Sequence, residues 1–132
     1  MNILKGIIEK LTIHGKLTLI NLKVKDVLMS AIVIDTPDTA PYLKTGNEIT
    51  VLFKETEVIM ATGNTDQISL RNKFYGTIDK IETNEILSKL TINTSVGKIK
   101  SIITTNAVNQ LQLKKNIEVT AMVKTNEIML SE

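Results

Sequence analysis

Slide the sequence along itself by 70 residues, without a gap, and Asn2, Gly6, Ile8, Lys10, Leu17, Ile32, Leu43, Lys44, Glu48, Thr50, Lys54 and Glu57 fall on identical residues. Their counterparts are Asn72, Gly76, Ile78, Lys80, Leu87, Ile102, Leu113, Lys114, Glu118, Thr120, Lys124 and Glu127. Apolar type is kept as well, in the pairs Leu4/Phe74, Leu11/Ile81, Leu22/Ile92, Val33/Ile103, Ile49/Val119 and Val58/Ile128. A chance match would need gaps and would lose the apolar phase. The chain is therefore a tandem repeat, and its fold must be one that about 60 residues can write twice.

Residue usage decides what each copy forms. Ile (19), Val (9) and Thr (17) far outnumber Ala (5), and β-branched side chains favour strands over helices. Stretches such as Lys16-Leu17-Thr18-Leu19, Glu48-Ile49-Thr50-Val51, Lys89-Leu90-Thr91-Ile92 and Glu118-Val119-Thr120-Ala121 alternate with period two, one face to a core and one to water. Strands are expected near 3–11, 17–22, 28–34, 48–54 and 57–61, and again near 73–81, 87–92, 98–104, 117–123 and 127–131. A short helical turn is expected near 37–43, where Thr36-Pro37 reads as an N-cap followed by proline, and near 106–112. The predicted fold is all-β: two tandem five-stranded Greek-key barrels of the oligonucleotide/oligosaccharide-binding (OB) type, each with one short helix. Residues 1–61 form the first domain and 69–132 the second. Residues 62–68, rich in turn-formers, read as a linker. Barrels this small bury only about 60% of the surface their unfolded chains expose, so self-association is expected.

Several functions are excluded by what is missing. No cysteine means no disulfide, thiolate metal site or cysteine nucleophile. One histidine, His14 beside Gly15 in a turn, cannot form a metal cluster. No tryptophan, two Tyr and two Phe are too few for a base-stacking platform, which argues against a nucleic-acid-binding OB fold. Charge is uneven but modest: residues 1–68 carry 7 Lys against 8 acids, and residues 69–132 carry 9 basic against 6 acidic residues. No apolar run reaches the ~20 residues of a membrane span, and the N-terminus lacks the pattern of a signal peptide, so a cytoplasmic protein is expected. No acid–base or nucleophilic constellation is present; Glu55 and Glu57 have no partner base, and Met60, Met122 and Met129 read as core filler. A non-enzyme without cofactor or metal is the expectation.

Arg71 is the only arginine among 15 lysines. Its planar five-donor fork holds oxyanions in fixed geometry, which makes it a candidate, although a surface residue is the plainer reading. Around it, Ser69-Leu70-Arg71-Asn72 and Gly76-Thr77-Ile78 resemble the Ser-Ala-Arg-Asn…Gly-Thr-Val opening of the molybdate-binding Mop domain, a member of the transport-associated OB (TOBE) group. Ser101-Ile102-Ile103-Thr104 is similar to that family's Ala-x-Ile-Thr, and Ala121 to Ile128 to its Ala-x-Ile-Lys-Ala-Ser-x-Val. The likeness covers 69–132 and, through the repeat, 2–61.

What the resemblance implies is a tandem, molbindin-like "di-Mop" protein that binds molybdate or tungstate between domains. Ser69 and Arg71, with Asn72 completing the motif, are expected to come from one subunit. Thr104 and Lys124, with the backbone N–H of Thr125, are expected from another. Six such domains commonly assemble in the family, so a trimer of this two-domain chain is expected. Storage or homeostasis of molybdenum is the implied role; the alternative is a molybdate-sensing module for a transporter ATPase or a transcription regulator. No nucleic acid or membrane partner is expected.

Physical chemistry agrees with the residue set. Molybdate at neutral pH is a tetrahedral dianion with acceptors only, so its site should offer hydroxyls, N–H groups and cations and no carboxylate. The first copy departs from this pattern. It begins at Met1-Asn2 without the Ser and Arg, Ile34 stands where Thr104 does, and Asp35 and Asp38 bring negative charge. Lys54 is its one retained candidate, followed by Glu55, and an equivalent oxyanion site is not expected there.

Overall fold

The computed structural model describes residues 1–132 and contains ten strands in two five-stranded antiparallel sheets. Repeat one supplies β1 (Asn2–His14), β2 (Leu17–Val24), β3 (Val27–Val33), β4 (Glu48–Phe53) and β5 (Ile59–Ala61). Repeat two supplies β6 (Asn72–Thr83), β7 (Leu87–Thr94), β8 (Gly97–Thr104), β9 (Glu118–Val123) and β10 (Met129–Ser131), with a helix α1 (Thr105–Gln110) between β8 and β9. In each repeat three strands run as a meander and the fourth returns beside the first, the Greek-key order of an OB unit.

The long first strand of each repeat serves two partners. Its first half pairs with the fourth strand (Asn2↔Phe53, Asn72↔Val123) and its second half with the next (His14↔Leu17, Thr83↔Ser88). A bulge at Glu9 and its counterpart Asp79 lets the strand bend between them. The chain reaches the fourth strand through a left-handed residue, Gly46 in one repeat and Asn116 in the other. The N–H of each bonds the strand carbonyl ahead of the bulge, Gly46 to Ile8 at 2.8 Å and Asn116 to Ile78 at 2.7 Å. Asparagine is one of the few side chains that tolerates this conformation, so the substitution keeps the geometry.

Two expectations need correction. The first repeat has no helix near 37–43. Pro37 to Thr39 form a turn, with Ala40 N–H bonded to the Thr36 carbonyl at 2.8 Å, and Pro41 stops it, since it has no N–H to continue and disfavours helical geometry at Ala40. The second repeat has no proline there and forms α1 under the Thr104 cap, whose Oγ1 accepts from the Ala107 N–H at 3.1 Å.

The fifth strands also change places. β5 pairs with β9 (Ile59↔Met122) and β10 with β4 (Met129↔Leu52), so each sheet is finished by the other repeat. A division at the 62–68 linker therefore cuts the sequence but not the sheets. One continuous apolar core crosses between the repeats, and the Phe53 and Phe74 rings stack within it at 5.9 Å between centroids. No helix is long and apolar enough to cross a membrane.

Candidate functional site

β6 opens beside the end of β9, with Asn72 opposite Val123. The residues just before β6 and just after β9 must therefore meet. They form a cleft of about 260 Å³ lined by Ser69, Leu70, Arg71, Lys124, Thr125 and, from the exchanged β5, Ile59. Its polar equipment is two cations, two hydroxyls and backbone N–H groups, with no carboxylate among the lining residues. Thr125 opens a 3₁₀ turn, Thr125–Glu127, where a first N–H has no partner inside the turn. The turn is held by the Glu127 N–H on the Lys124 carbonyl at 3.1 Å.

Neither cation has an acidic partner within ion-pair distance; the ion pairs of the chain involve the Met1 amino group, Lys80, Lys89 and Lys98. Arg71 instead folds its guanidinium onto its own loop, with Nε donating to the Ser69 carbonyl at 3.3 Å and Nη2 to the Ile68 carbonyl. These bonds orient the fork and leave its remaining N–H donors for a ligand. Two positive charges in a carboxylate-free cleft match a dianion. A larger cleft, beside Gly63 and Gly76, carries Asp66 and Glu118 and is unsuited to one.

Two of the six predicted residues lie elsewhere. Asn72 is fully buried, and its carboxamide is engaged by Ser30 of the other repeat: the Ser30 N–H donates to Oδ1 at 2.7 Å and Nδ2 donates to the Ser30 carbonyl at 2.9 Å. It is a clamp and does not line the cleft. Thr104 pairs with Leu87, near the far end of β6 from Arg71. Its hydroxyl caps α1 as an acceptor and keeps its proton for another partner. The resemblance groups Lys124 with Thr104; within one chain Lys124 sits instead with Ser69 and Arg71.

Lys54 is exposed at the corresponding place in repeat one. The residue after it is Glu55, whose Oε1 is 3.2 Å from Lys89 Nζ and whose Oε2 is 3.5 Å from the Met1 amino group. Burial works against the Glu55 charge, but the Lys89 hydrogen bond and the ammonium outweigh it and hold the carboxyl below the ordinary glutamate range. Sequence reasoning missed this pair and the Asn clamps. A signal for the clamps was present: Asn2 and Asn72 are identical polar residues at inward-facing positions of both first strands. No group of three His, Asp or Glu side chains gathers anywhere to hold a metal.

Comparison with known proteins adds three findings. The family model of the TOBE domain matches twice, over residues 1–60 and 68–130. The molybdenum-pterin-binding protein MopB of Rhodobacter capsulatus is 29% identical over 91 residues, 67% of this chain and 34% of that protein, so this chain spans about a third of the length of that relative. Among solved structures, the cytoplasmic molybdate-binding protein ModG, in a crystal form with molybdate bound, superposes with a TM-score of 0.92 at 25% identity, covering 98% of this chain and 94% of that one.

Proposed function

Because the chain belongs to the TOBE-domain family, with one such unit in each repeat, we propose that it is a non-catalytic binder of molybdate. The observation that carries this reading is the cleft in which Ser69, Arg71, Lys124 and Thr125 converge without a carboxylate. A fully ionised tetrahedral dianion accepts from every side and donates nothing, so it is the ligand such a cleft suits. Phosphate at neutral pH carries a proton that finds no side-chain carboxylate here. The molybdate-bound relative ModG, alike over nearly the whole chain, supports the same ligand.

In this reading the cleft is half of a site. Thr104 lies at the other end of the barrel and reaches an anion beside Arg71 only from a second copy, so molybdate binds between chains. Three chains closing into a ring bring the halves together, and burial of exposed apolar residues such as Ile34 and Ile86 favours the assembly. Tungstate, the same shape and charge, enters the same site. The role that follows is storage of the anion inside the cell. Calorimetric titration with molybdate, tungstate, sulfate and phosphate, together with the mass in solution, tests the reading. Saturable binding of the first two over the last two by an oligomer is expected; a monomer that binds none of them overturns it.

A further inference from the structure

We propose that the first repeat holds an anion site that the chain fills itself, with the Glu55 carboxylate and Lys89 replacing an external oxyanion and its cation. The proposal rests on reading the Arg71 cleft as an oxyanion site. The two places share one backbone. Lys54 (φ −73°, ψ 145°) and Lys124 (φ −69°, ψ 150°) precede the same 3₁₀ turn, and the Glu57 N–H bonds the Lys54 carbonyl at 3.0 Å as Glu127 does Lys124 at 3.1 Å. Two things differ: Glu55 follows the lysine where Thr125 does in the second repeat, and Met1, whose amino group is 3.5 Å from Glu55 Oε2, stands where Arg71 does.

The first difference exchanges a donor for an acceptor. Thr125 offers a hydroxyl to an incoming anion; Glu55 brings two anionic oxygens, which accept as the edge of a tetrahedral oxyanion does. The cation it meets, Lys89, crosses from β7 of the second repeat and lies beside Ile102 on β8. The same strand is fixed by the Asn2 clamp, whose Oδ1 accepts from the Lys100 N–H at 2.8 Å and whose Nδ2 donates to its carbonyl at 2.9 Å. Only 14% of the Glu55 side chain is exposed, so its charge is partly withdrawn from water and needs this partner. Remove the carboxylate and Lys89 is left unpaired beside a turn that matches the one in the Arg71 cleft.

The test counts anions bound to the full chain. Arg71→Ala silences the second-repeat cleft, and Glu55→Thr is then added to it, with Glu55→Gln as the size-conserving variant should threonine impair folding. Bound molybdate, tungstate and sulfate are measured by equilibrium dialysis, after circular dichroism confirms the fold. The double variant is expected to bind at least tenfold more molybdate or tungstate than Arg71→Ala alone, and further replacement Lys89→Ala should remove the gain. A folded double variant that binds no more anion than Arg71→Ala overturns the proposal. Should the wild-type chain bind no anion, the functional reading fails instead; a Lys89-dependent gain on Glu55→Thr alone then still upholds the self-filled site.

Discussion

The carboxamide of Asn72 reaches out of its own repeat and holds both backbone groups of Ser30, accepting at 2.7 Å and donating at 2.9 Å. Seventy residues earlier, Asn2 does the same to Lys100, and Ser30 and Lys100 are themselves 70 apart. The clamps run in opposite directions between the repeats. Together with the exchanged fifth strands they make one folding unit of two sequence copies.

Asn72→Ala removes two hydrogen bonds and leaves the Ser30 N–H and carbonyl without partners in a partly buried setting. At about 1–3 kcal/mol per unsatisfied group, the two groups together should cost roughly 2–6 kcal/mol. Urea unfolding followed by circular dichroism measures it, and one cooperative transition for both repeats is expected.

Deleting residues 126–132 removes β10 from the edge of β4, so the damage should appear in the first repeat although the residues belong to the second. Hydrogen exchange is the direct readout. Amides over 50–52 should exchange faster, while the β6–β7 ladder keeps its protection.

Gly76 packs so closely on β7 that a methyl group there would stand 2.0 Å from the Asn93 carbonyl oxygen, a backbone atom that cannot step aside. At Gly6, its counterpart, the nearest atoms are 3.1 Å away and include the Leu22 and Val24 side-chain tips. Gly76→Ala should therefore cost about 3 kcal/mol, the upper end for overpacking, and Gly6→Ala less. Thermal melts of the two variants check the order.

Acid should weaken the fold through Glu55. Its folded-state carboxyl titrates below its unfolded value of about 4.3, so its contribution is complete above that value and is lost as pH falls through the lower one. Asp79 and Glu82, depressed by hydrogen bonds and charge from Lys98 and Lys80, act in the same direction, Glu82 from an exposed position and Asp79 from a partly exposed one. Glu55→Gln should flatten the stability profile below pH ~4.3 and leave the shallower slope of the other two.

Much of this was legible in the sequence, for identifiable reasons. Alternation and the 70-residue repeat gave the strands, and with Asn72 paired to Val123, the meeting of Arg71 and Lys124 follows from strand register alone. The first-repeat helix was misread because Thr36-Pro37 signals a start, while Pro41 forbids the continuation. Strand exchange left no trace: β5 and β10 are three residues each, and either suits the edge of β4 or β9. Asn72 looked like a ligand because it adjoins Arg71; its inward position in the alternation makes it a clamp.

Lys124→Ala removes one of the two cations of the cleft. A charge-assisted hydrogen bond contributes about 1.5–3 kcal/mol, so molybdate affinity should fall roughly ten- to a hundredfold. Thr104→Val removes a neutral donor and should cost less. The proposed assembly supplies Thr104 from a second copy, so on that reading its effect should vanish under conditions that dissociate the chains. Titration of each variant beside its sedimentation profile separates the two.

The most direct test compares molybdate titrations of the wild-type chain, Arg71→Ala and Lys54→Ala in one buffer, each confirmed as folded. Saturable binding by the wild type, a loss of at least tenfold for Arg71→Ala and little change for Lys54→Ala are predicted. Arg71→Ala binding as tightly as the wild type, or Lys54→Ala binding as poorly as Arg71→Ala, would contradict the assignment of the site to the second repeat.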